Sequence, residues 1–563
     1  MQRSSETDSP NKRRKFAPVV AEFVARRFED LFQQGTNDSL IGGFLEDDKV
    51  ALAAVGPITS VIHTLVRRSD DRKPHFTRAD NVSIVAAIQN VDAFRNLLAS
   101  RRGTFSYTTY TVGFINPIID MDVQLFSDAM EGNTTITEIL LPHNNITAPK
   151  MVILAKLLSN NHHIQSMDVS RNWITLLGFK RSTAGIEALV EAAIAHPSLT
   201  NLGLSFNKIG ADHAKFIARL LRKETQLKRL DLSGNCLTNG CLDQISSALS
   251  NSVRSNKVLT MLDLHQNNFD HRGAAHLAKA LRRNSTLREL NLGNNQISDK
   301  GAADLAAALP PSLTAISLNA NNIGDAGATS LAVSLAKLQE NLPINLQSID
   351  LSSNIIGDIG AIALAEASNI AEIKLRGNRI DDDGIIAFAN KFRHNSTVSA
   401  EFANNRFGIV GISALADMLY VNTTLKRLDI SQCWIGDAGV AALTPALRRN
   451  QTLTELDLSI NQIRSEGAAA IAAIITVNVG LEKLDLNTNS IGDFGMLRLA
   501  GPLSINGTLR RINLSANYIG DTGANALVPG LSRLEKLVIS NRDISAGAKS
   551  ALIRRFPGVI VQA

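Results

Sequence analysis

Residues 425–435 read LKRLDISQCWI, and the spacing of their apolar residues decides the fold. The pattern is L-x-x-L-x-L-x-x-C-x-I. It returns 28 residues later as LTELDLSINQI at 453–463, then as LEKLDLNTNSI at 481–491 and LRRINLSANYI at 509–519. Self-similarity at a fixed period of this size is the signature of a solenoid, in which each repeat packs only on its neighbours. The repeats cover about three quarters of the chain.

Each repeat has a polar consensus position, two residues before the final apolar residue, and this position is usually Asn. About 15 repeats run from Ile136 to Ile544, and the last is degenerate, with Arg542 at the consensus position. The position is filled in order by Asn144, Asn172, Asn207, Asn235, Asn267, Asn295, Asn321, Asn354, Asn378, Asn405, Cys433, Asn461, Asn489 and Asn517.

The residue types predict the local structure of one repeat. The L-x-L core is a short strand with both leucines inward, and the Asn amide turns inward to bond backbone groups of the following bend. Gly-Asp-x-Gly comes next, as at 436–439 and 520–523, where Gly permits a turn and Asp is expected to cap the helix that it begins. Ala and Leu then recur at helical spacing. The fold class is therefore α/β, a parallel inner sheet with outer helices.

These motifs resemble the ribonuclease-inhibitor-like subclass of leucine-rich repeats, which is marked by repeats of about 28 residues and a true helix in each repeat. Similar proteins include ribonuclease inhibitor, the repeat domains of NOD-like receptors and the GTPase-activating protein of Ran. The resemblance implies a horseshoe-shaped leucine-rich repeat solenoid. It implies little about function, because the family binds many unrelated partners.

The region before the repeats is divided into two parts. Residues 1–16 are predicted to be a disordered basic tail. Residues 17–130 are predicted to be a mainly helical N-terminal region and cap, with helices at 19–32, 48–66 and 81–98 and extended chain at 104–115. Residues 131–563 form the repeat domain. A separate signalling domain before the repeats is the alternative to a cap. The tail holds a nuclear import candidate, or else a solvated basic run, at Lys12, Arg13, Arg14 and Lys15.

Composition, apolar runs and inserts between repeats give weaker indications of localisation and loop positions. The net charge of +6 and three cysteines favour neither nucleic acid nor a disulfide framework, and indicate buried thiols in a reducing compartment. There is no secretory leader and no apolar run of about 18 residues, so a cytoplasmic, or also nuclear, protein without membrane contact is expected. Inserts at 175–185, 252–257 and 339–345 are predicted loops on one rim. N-x-S/T sequences such as 284–286 and 450–452 are given no role.

A stripe of acids lies between the two inward leucines of the strands and is predicted to face the concave surface. It consists of Asp168, Asp231, Asp263, Asp350, Glu401, Asp429, Asp457 and Asp485. Bases lie to its side at Arg229, Arg427, Lys483, Arg511 and Lys536. One interpretation is an acidic track that docks a basic partner. The alternative is that Leu-Asp-Leu is the default of this repeat, with each carboxylate solvated or paired.

Three bulky aromatic residues are the other candidate partner contacts. Trp173 and Trp434 directly follow the consensus position, and Phe206 directly precedes it at a place expected to be exposed. Tryptophan and other aromatics are common interface hot spots. The alternative is that these rings pack across the rim on the next repeat.

The motifs of common enzymes are missing from the sequence: it has no G-x-x-x-x-G-K-S/T, H-E-x-x-H, G-x-S-x-G or C-x-x-C. We therefore expect no catalysis, no cofactor and no metal. The favoured function is an intracellular scaffold or receptor that binds another protein through the concave face. The alternative is a GTPase-activating regulator of a small GTPase, although the acidic tail of the Ran activator is absent here. A NOD-like receptor would need a P-loop domain, and a pathogen effector stays open.

Overall fold

The fold is described from a computed structural model, which covers residues 103–106, 123–178, 180–250, 257–341, 346–367, 370–528, 534–540, 543–556 and 559–560. The predicted basic tail, its import candidate, the three helices before residue 99 and the insert at 252–256 lie outside these residues. Of the predicted extended stretch 104–115, residues 104–106 are in a strand and the rest lies outside.

Each repeat begins with a short strand whose middle residue is buried and whose outer residues face away from the core. In Arg427–Asp429, Leu428 is fully buried, Arg427 is exposed and Asp429 is half-buried. Successive side chains of a strand point to opposite faces, so one face of the sheet is apolar and the other is polar. The helix that follows adds Val440 and Leu443 to the core. The polar face is called the sheet face below.

The chain divides into two compact units. Unit 1 comprises the described residues up to Cys236, together with 257–259. Its strands β1, β2, β3, β6 and β7 pair in parallel in this order, so the strand before the first repeat extends the sheet. Its elements are β1 Gly103–Ser106, α1 Val123–Ala129, β2 Ile136–Leu140, α2 Ala148–Asn160, β3 Ser166–Asp168, β4 Leu176–Leu177, β5 Lys180–Arg181, α3 Ala184–Ala195, β6 Asn201–Gly203, α4 Ala211–Arg222 and β7 Arg229–Asp231.

Unit 2 comprises Leu237–Asn251 and Thr260–Ala563, and its strands also pair in parallel, each with the strand of the next repeat. This confirms the predicted alternation of parallel strands and helices. Its elements are α5 Asn239–Leu249, β8 Met261–Asp263, α6 His271–Leu281, β9 Glu289–Asn291, α7 Ser298–Ala306, β10 Ala315–Ser317, α8 Asp325–Asn341, β11 Ser348–Asp350, α9 Asp358–Ala367, β12 Glu372–Lys374, α10 Asp382–Phe392, β13 Ser399–Glu401, α11 Ile409–Val421, β14 Arg427–Asp429, α12 Gly436–Arg449, β15 Glu455–Asp457, α13 Ser465–Val477, β16 Lys483–Asp485, α14 Gly492–Ile505, β17 Arg511–Asn513, α15 Asp521–Leu527, β18 Lys536–Val538, α16 Ala546–Arg555 and β19 Val559–Ile560.

The consensus asparagine ties each repeat to the one before it. The Oδ1 atom of Asn489 accepts the backbone N–H groups of Asn461 at 2.9 Å and Ile463 at 3.0 Å. Its Nδ2 atom donates to the carbonyls of Leu458 at 3.0 Å and Leu486 at 2.9 Å. The predicted inward turn of this side chain is therefore confirmed. The same bonds recur at Asn172, Asn235 and Asn354.

Cys433 occupies the asparagine position in one repeat. Its Sγ atom lies 3.2 Å from the carbonyl of Ser431 and 3.5 Å from that of Phe402. Burial raises the pKa of the Cys433 thiol to about 12, so the thiol stays neutral and unreactive. Cys241 is also buried, whereas Cys236 is half-buried. The expectation of buried thiols is thus right for two of the three cysteines.

The aspartate at the start of a helix caps the next helix and not its own. The Oδ1 atom of Asp437, in α12, accepts the N–H groups of Arg464 at 2.7 Å and Gly467 at 2.8 Å, where α13 begins. The predicted cap on the same helix is therefore wrong. The physical reason is that stacking places this carboxylate beside the unsatisfied first N–H groups of the neighbouring helix. The same two bonds are made by Asn239, Asp299, Asp325, Asp358, Asp382 and Asp493.

Where a repeat lacks this aspartate, the following helix begins differently. Gly436 comes one repeat after Ile409; it has φ +56° and donates its N–H to the carbonyl of Asn461 at 3.0 Å. Gly520 comes one repeat after Asp493; it has φ −98° and donates to that carboxylate at 2.8 Å. The helix start therefore responds to the side chain one repeat earlier. Two more starts of the first kind are Ser298 after His271 and Gly492 after Ser465.

We expect Asp437→Ala to lower the free energy of unfolding by about 1 kcal/mol, the usual cost of a lost helix cap. Arg464 cannot adopt a positive φ as readily as Gly436 does, so its N–H group would lose its partner. Asp437→Asn keeps an Oδ1 acceptor and should stay close to the wild type. Urea unfolding followed by circular dichroism compares the three proteins. Equal midpoints for the Ala and Asn variants would show that the inter-repeat cap contributes nothing.

A second row of asparagines joins the ends of successive helices. Asn450 is buried, and its Nδ2 atom donates to the carbonyls of Leu419 at 2.7 Å and Asn422 at 3.0 Å. Its Oδ1 atom accepts the N–H groups of Thr452 and Leu453, both at 2.9 Å. Sequence analysis gave the N-x-S/T sequences no role, but the structure shows that their asparagines bridge repeats. Equivalent bonds are made by Asn422, Asn478 and Asn506.

His196 has the corresponding place in unit 1. Its Nε2 atom lies 2.6 Å from the carbonyl of Asn161, and its Nδ1 atom accepts the N–H of Ser198 at 3.2 Å. Burial lowers the pKa of His196, which agrees with the neutral ring that this bonding requires.

The insert that follows Thr175 is more ordered than predicted. Strands β4 and β5 pair antiparallel, with Leu176 opposite Arg181 and Leu177 opposite Lys180, so the predicted loop is in fact a β-hairpin. In the insert predicted at 339–345, residues up to Asn341 continue helix α8. The residues 342–345 lie outside the described part.

Candidate functional site

The sheet face of unit 2 presents two columns of side chains, one from the first residue of each strand and one from the third. Pairing in register places Asp429 beside Asp457, and Asp457 beside Asp485. Neighbouring strands lie about 4.8 Å apart, so each column has one side chain at that interval. The acidic column is Glu401, Asp429, Asp457 and Asp485. The basic column is Arg427, Lys483, Arg511 and Lys536, with Glu455 between the first two.

The aspartates of the stripe have a local structural role. The Oδ1 atom of Asp457 accepts the N–H of Ser459 at 2.8 Å, which holds the bend after the strand. This bond accounts for the recurrence of Leu-Asp-Leu without any partner, and so supports the default interpretation for part of the stripe. It is repeated at Asp168, Asp231, Asp263, Asp350, Asp429 and Asp485.

The electrostatics of Asp457 go beyond that role. Burial, followed by the neighbouring carboxylates of Asp429 and Asp485, raises the pKa of Asp457 to about 6. Burial is also the main cause that raises the pKa of Glu401. Within the part of the chain that the structure describes, no basic side chain lies within 4 Å of Asp457 or Asp485. The acidic column is therefore a set of crowded, incompletely neutralised charges.

Two members of the basic column form ion pairs with Glu455. Arg427 Nε lies 3.0 Å from one oxygen of Glu455, and Lys483 contacts the other. The ammonium and guanidinium groups lower the pKa of Glu455 against the effect of its burial. Arg511 continues the column beside Lys483 and is exposed. Arg427 and Lys483 thus pair within their own column and not with Asp457 or Asp485 beside them.

The two columns line one open pocket with a volume of about 390 Å³. The buried middle residues of its strands, such as Leu456, form its floor. Its walls include every member of the acidic and basic columns. Such a surface can hold a partner that carries both signs of charge in separate rows.

The structure brings together only some of the predicted acids. Asp168 and Asp231 belong to unit 1, in β3 and β7. Asp263 in β8 and Asp350 in β11 belong to unit 2 but are separated from the acidic column. The same position is occupied by Asn291 in β9, Ser317 in β10 and Lys374 in β12. The predicted stripe is therefore interrupted, and directly before β13 a base occupies the acidic position.

Two cations at this break were missed by sequence analysis. Lys374 Nζ lies 3.4 Å from Glu372 and 3.4 Å from Glu401, and an Arg376 nitrogen lies 4.0 Å from Asp429. The alternation of Lys374 and Arg376 along one strand end was the available signal. They neutralise the acidic column at its Glu401 end. Asp457 and Asp485 are the carboxylates of the column that have no such basic neighbour within the described segments.

The three aromatic candidate contacts lie at the bends after the strands, next to the consensus position. Trp434 has φ +60° and is 72% exposed. Trp173 is 39% exposed, with the Lys208 ammonium 4.2 Å from its ring centroid. Phe206, expected to be exposed, is half-buried because its ring packs over Gly234 of the next repeat, with the Arg171 guanidinium 4.1 Å from its centroid.

In the described segments, no helix combines the length and apolar character needed to cross a membrane. The same segments hold no cluster of three His, Cys, Asp or Glu side chains suited to a metal ion.

Two solved structures are among those similar to the chain. It is 20% identical to an internalin from Listeria monocytogenes, covering 66% of this chain and 86% of that one with a TM-score of 0.38. It is 16% identical to a chain of the yeast Rad7 and Elc1 complex, covering 68% and 83% with a TM-score of 0.40.

Sequence families match the repeats themselves. One described as "Leucine Rich Repeat" matches residues 226–251. Another, "Leucine Rich repeat", matches residues 283–306, 310–332, 343–365, 368–389, 421–443, 449–472 and 506–528. These segments contain strands and helices of the repeating unit described above, and the architecture they build serves protein–protein interaction. The chain is a leucine-rich repeat protein.

Proposed function

We propose that this chain is an intracellular scaffold or receptor that binds a partner protein through the sheet face between Ser399 and Val538. In this proposal the chain acts by binding and not by catalysis, in the cytoplasm or nucleus. The partner presents basic side chains to the acidic column and acidic side chains to Lys483 and Arg511.

The observation that supports this proposal is the crowding of Asp429, Asp457 and Asp485. Three carboxylates in register disfavour one another, and Asp429 and Asp485 add to the burial that raises the pKa of Asp457. Each could keep its bond to the following bend if it were Asn, because Asn291 and Asn513 make that bond at the same strand position. The fold therefore does not require the charges, whereas a basic partner would.

The test is a variant in which Asp429, Asp457 and Asp485 are all replaced by Asn. The full chain is used as bait in a cell lysate at low and at high salt, with mass-spectrometric identification. We expect a basic protein to be captured by the wild type at low salt, and to be lost both at high salt and in the triple variant. Asn retains the backbone bonds, so the variant should stay folded by circular dichroism.

A matched control replaces three exposed acids away from the pocket, Asp383, Glu466 and Glu482, with the corresponding amides. It changes the net charge equally and should keep the partner. Capture that survives in the triple variant would exclude the acidic column as the binding site. Faster GTP hydrolysis by a small GTPase on addition of the wild-type chain would instead favour the regulator.

A further inference from the structure

The hairpin of unit 1 is an addition to the repeat pattern and presents unusual side chains. Leu177 and Lys180 face each other across its two strands. Leu177 is 56% exposed, and Lys180 and Arg181 are exposed as well. The other described repeats pass from strand to helix without such an extension, so the repeat architecture does not require it.

The hairpin is held rigidly at its base. The N–H of Leu176 donates to the carbonyl of Trp173 at 2.8 Å, and the N–H of Ser182 donates to that of Thr175 at 2.9 Å. The buried Thr175 hydroxyl donates to the carbonyl of Asn207 at 2.8 Å. These bonds fix the hairpin to the bends of its own repeat and of the next one. A fixed surface loses less conformational entropy on binding.

A second contact comes from the following helix. The imidazole Nε2 of the buried His213 lies 3.2 Å from the carbonyl of Ser182, where the hairpin ends. The guanidinium of Arg181 lies beside Gly210, which directly precedes α4. One of its nitrogens would be 3.8 Å from a Cβ atom built on that glycine. Arg181 therefore lies over the bend that carries Lys208.

Two further cations are held in place by aromatic rings. The Lys208 ammonium lies 4.2 Å from the ring centroid of Trp173, and the Arg171 guanidinium lies 4.1 Å from that of Phe206. Both distances are those of cation–π contacts. Such contacts orient a cation without neutralising it. The hairpin edge, as we name it, consists of Arg171, Trp173, Leu177, Lys180, Arg181 and Lys208.

The charge of the hairpin edge is almost entirely positive. Among the described residues, none of its four bases forms an ion pair with a carboxylate. The nearest acids in sequence are Asp168, at the end of β3, and Asp212 and Glu187, in first helical turns. Bases that are fixed in position but unpaired suit carboxylate groups of a ligand.

We propose that the hairpin edge is a second docking site, for an acidic segment of a partner protein with an apolar side chain among its carboxylates. The four bases bind the carboxylates, and the exposed parts of Leu177 and Trp173 contact the apolar side chain. This site lies within unit 1 and carries the opposite charge from the acidic column, so it does not depend on the function proposed for unit 2.

The test uses fluorescence anisotropy with the full chain and a short fluorescein-labelled peptide of Glu and Asp with one central Leu. We expect binding that weakens steeply between about 50 mM and 200 mM salt. The double variant Lys180→Glu/Arg181→Glu should bind at least about tenfold more weakly, because two attractive charges become repulsive. Leu177→Ser should weaken binding less and without altering the salt dependence.

The control Lys156→Glu/Lys223→Glu makes the same change in net charge at exposed positions of unit 1 outside the hairpin edge, and should leave the affinity unchanged. An equal loss in this control would reduce the effect to overall charge and overturn the proposal. Failure of the wild type to bind the peptide would also overturn it. So would tighter binding of single-stranded oligouridine, or of phosphatidylserine vesicles, since either would identify a different class of ligand.

Discussion

Asn489→Ala is expected to lower the free energy of unfolding by about 3–5 kcal/mol, because it leaves several buried backbone groups without partners at about 1–3 kcal/mol each. The side chain is 3% exposed. It serves the N–H groups of Asn461 and Ile463 and the carbonyls of Leu458 and Leu486. The residues that carry these groups are themselves buried. The loss also uncouples two repeats, since each repeat is stabilised by its neighbours.

The measurement is urea unfolding of the full chain, supported by hydrogen exchange of the amides of Asn461 and Ile463. Asn487→Ala is the matched control, because Asn487 lies two residues earlier, is half-buried, and has no side-chain hydrogen bond among the described residues. It should change stability by less than about 0.5 kcal/mol. Similar midpoints for the two variants would show that the asparagine ladder does not hold the repeats together.

Asp457→Asn is expected to stabilise unit 2 above pH 6. The Asp457 carboxylate is half-buried and lies beside the carboxylates of Asp429 and Asp485. Burial first, and these two charges in addition, raise the pKa of Asp457 to about 6. That rise corresponds to roughly 3 kcal/mol between the protonation states. Because the carboxylate is partly exposed and screened by solvent, we expect its effect on the free energy of unfolding to be about 1–2 kcal/mol. Asn in this position can also donate to the carboxylate one repeat earlier, as Asn513 does to Asp485 at 3.1 Å.

The sign of the pH dependence follows from the raised pKa of Asp457. The folded chain favours the protonated carboxyl, so this group stabilises the fold fully below its unfolded pKa of about 4. That contribution is lost as the pH rises through about 6, where Asp457 ionises in the folded state. The advantage of Asp457→Asn should therefore grow between about pH 4 and pH 6 and level off above.

Unfolding midpoints at a series of pH values measure this difference. Asp383→Asn, at an exposed position in the first turn of α10, makes the same charge change outside the acidic column. It should show no such growth with pH. A stability difference for Asp457→Asn that stays constant across this range would mean that the crowding of the three carboxylates is unimportant. A more stable variant that has lost its partner would link the crowding to binding.

The residue types within one repeat were sufficient to predict the structure of the repeating unit. The L-x-L spacing predicted strands with a buried middle residue, and Leu428 is fully buried. The amide of the consensus position could only be satisfied by the bend groups nearby, so the bonds of Asn489 were predictable in kind. The role of Asn450 was missed, since its N-x-T sequence resembles a surface signal and its partners lie one repeat away at Leu419 and Asn422.

The candidate site was only partly predictable for the same reason. The sequence placed Asp429, Asp457 and Asp485 at one strand position, and the register confirms that they are neighbours. Which charges neutralise one another depends on side chains from different repeats. Glu455 pairs with both Arg427 and Lys483, so these two bases do not pair with Asp457 or Asp485.

The repeat period, the strands and the inward asparagine were thus determined by the sequence alone, because they follow from side chains acting on their own repeat. The helix starts were decided by the tertiary structure. Gly436 and Gly520 both stand in Ile-Gly-Asp-x-Gly, yet one has φ +56° and the other φ −98°. The physical reason is the residue one repeat earlier: Asp493 offers a carboxylate to the N–H of Gly520, and Ile409 offers none to Gly436, whose N–H turns to the next repeat.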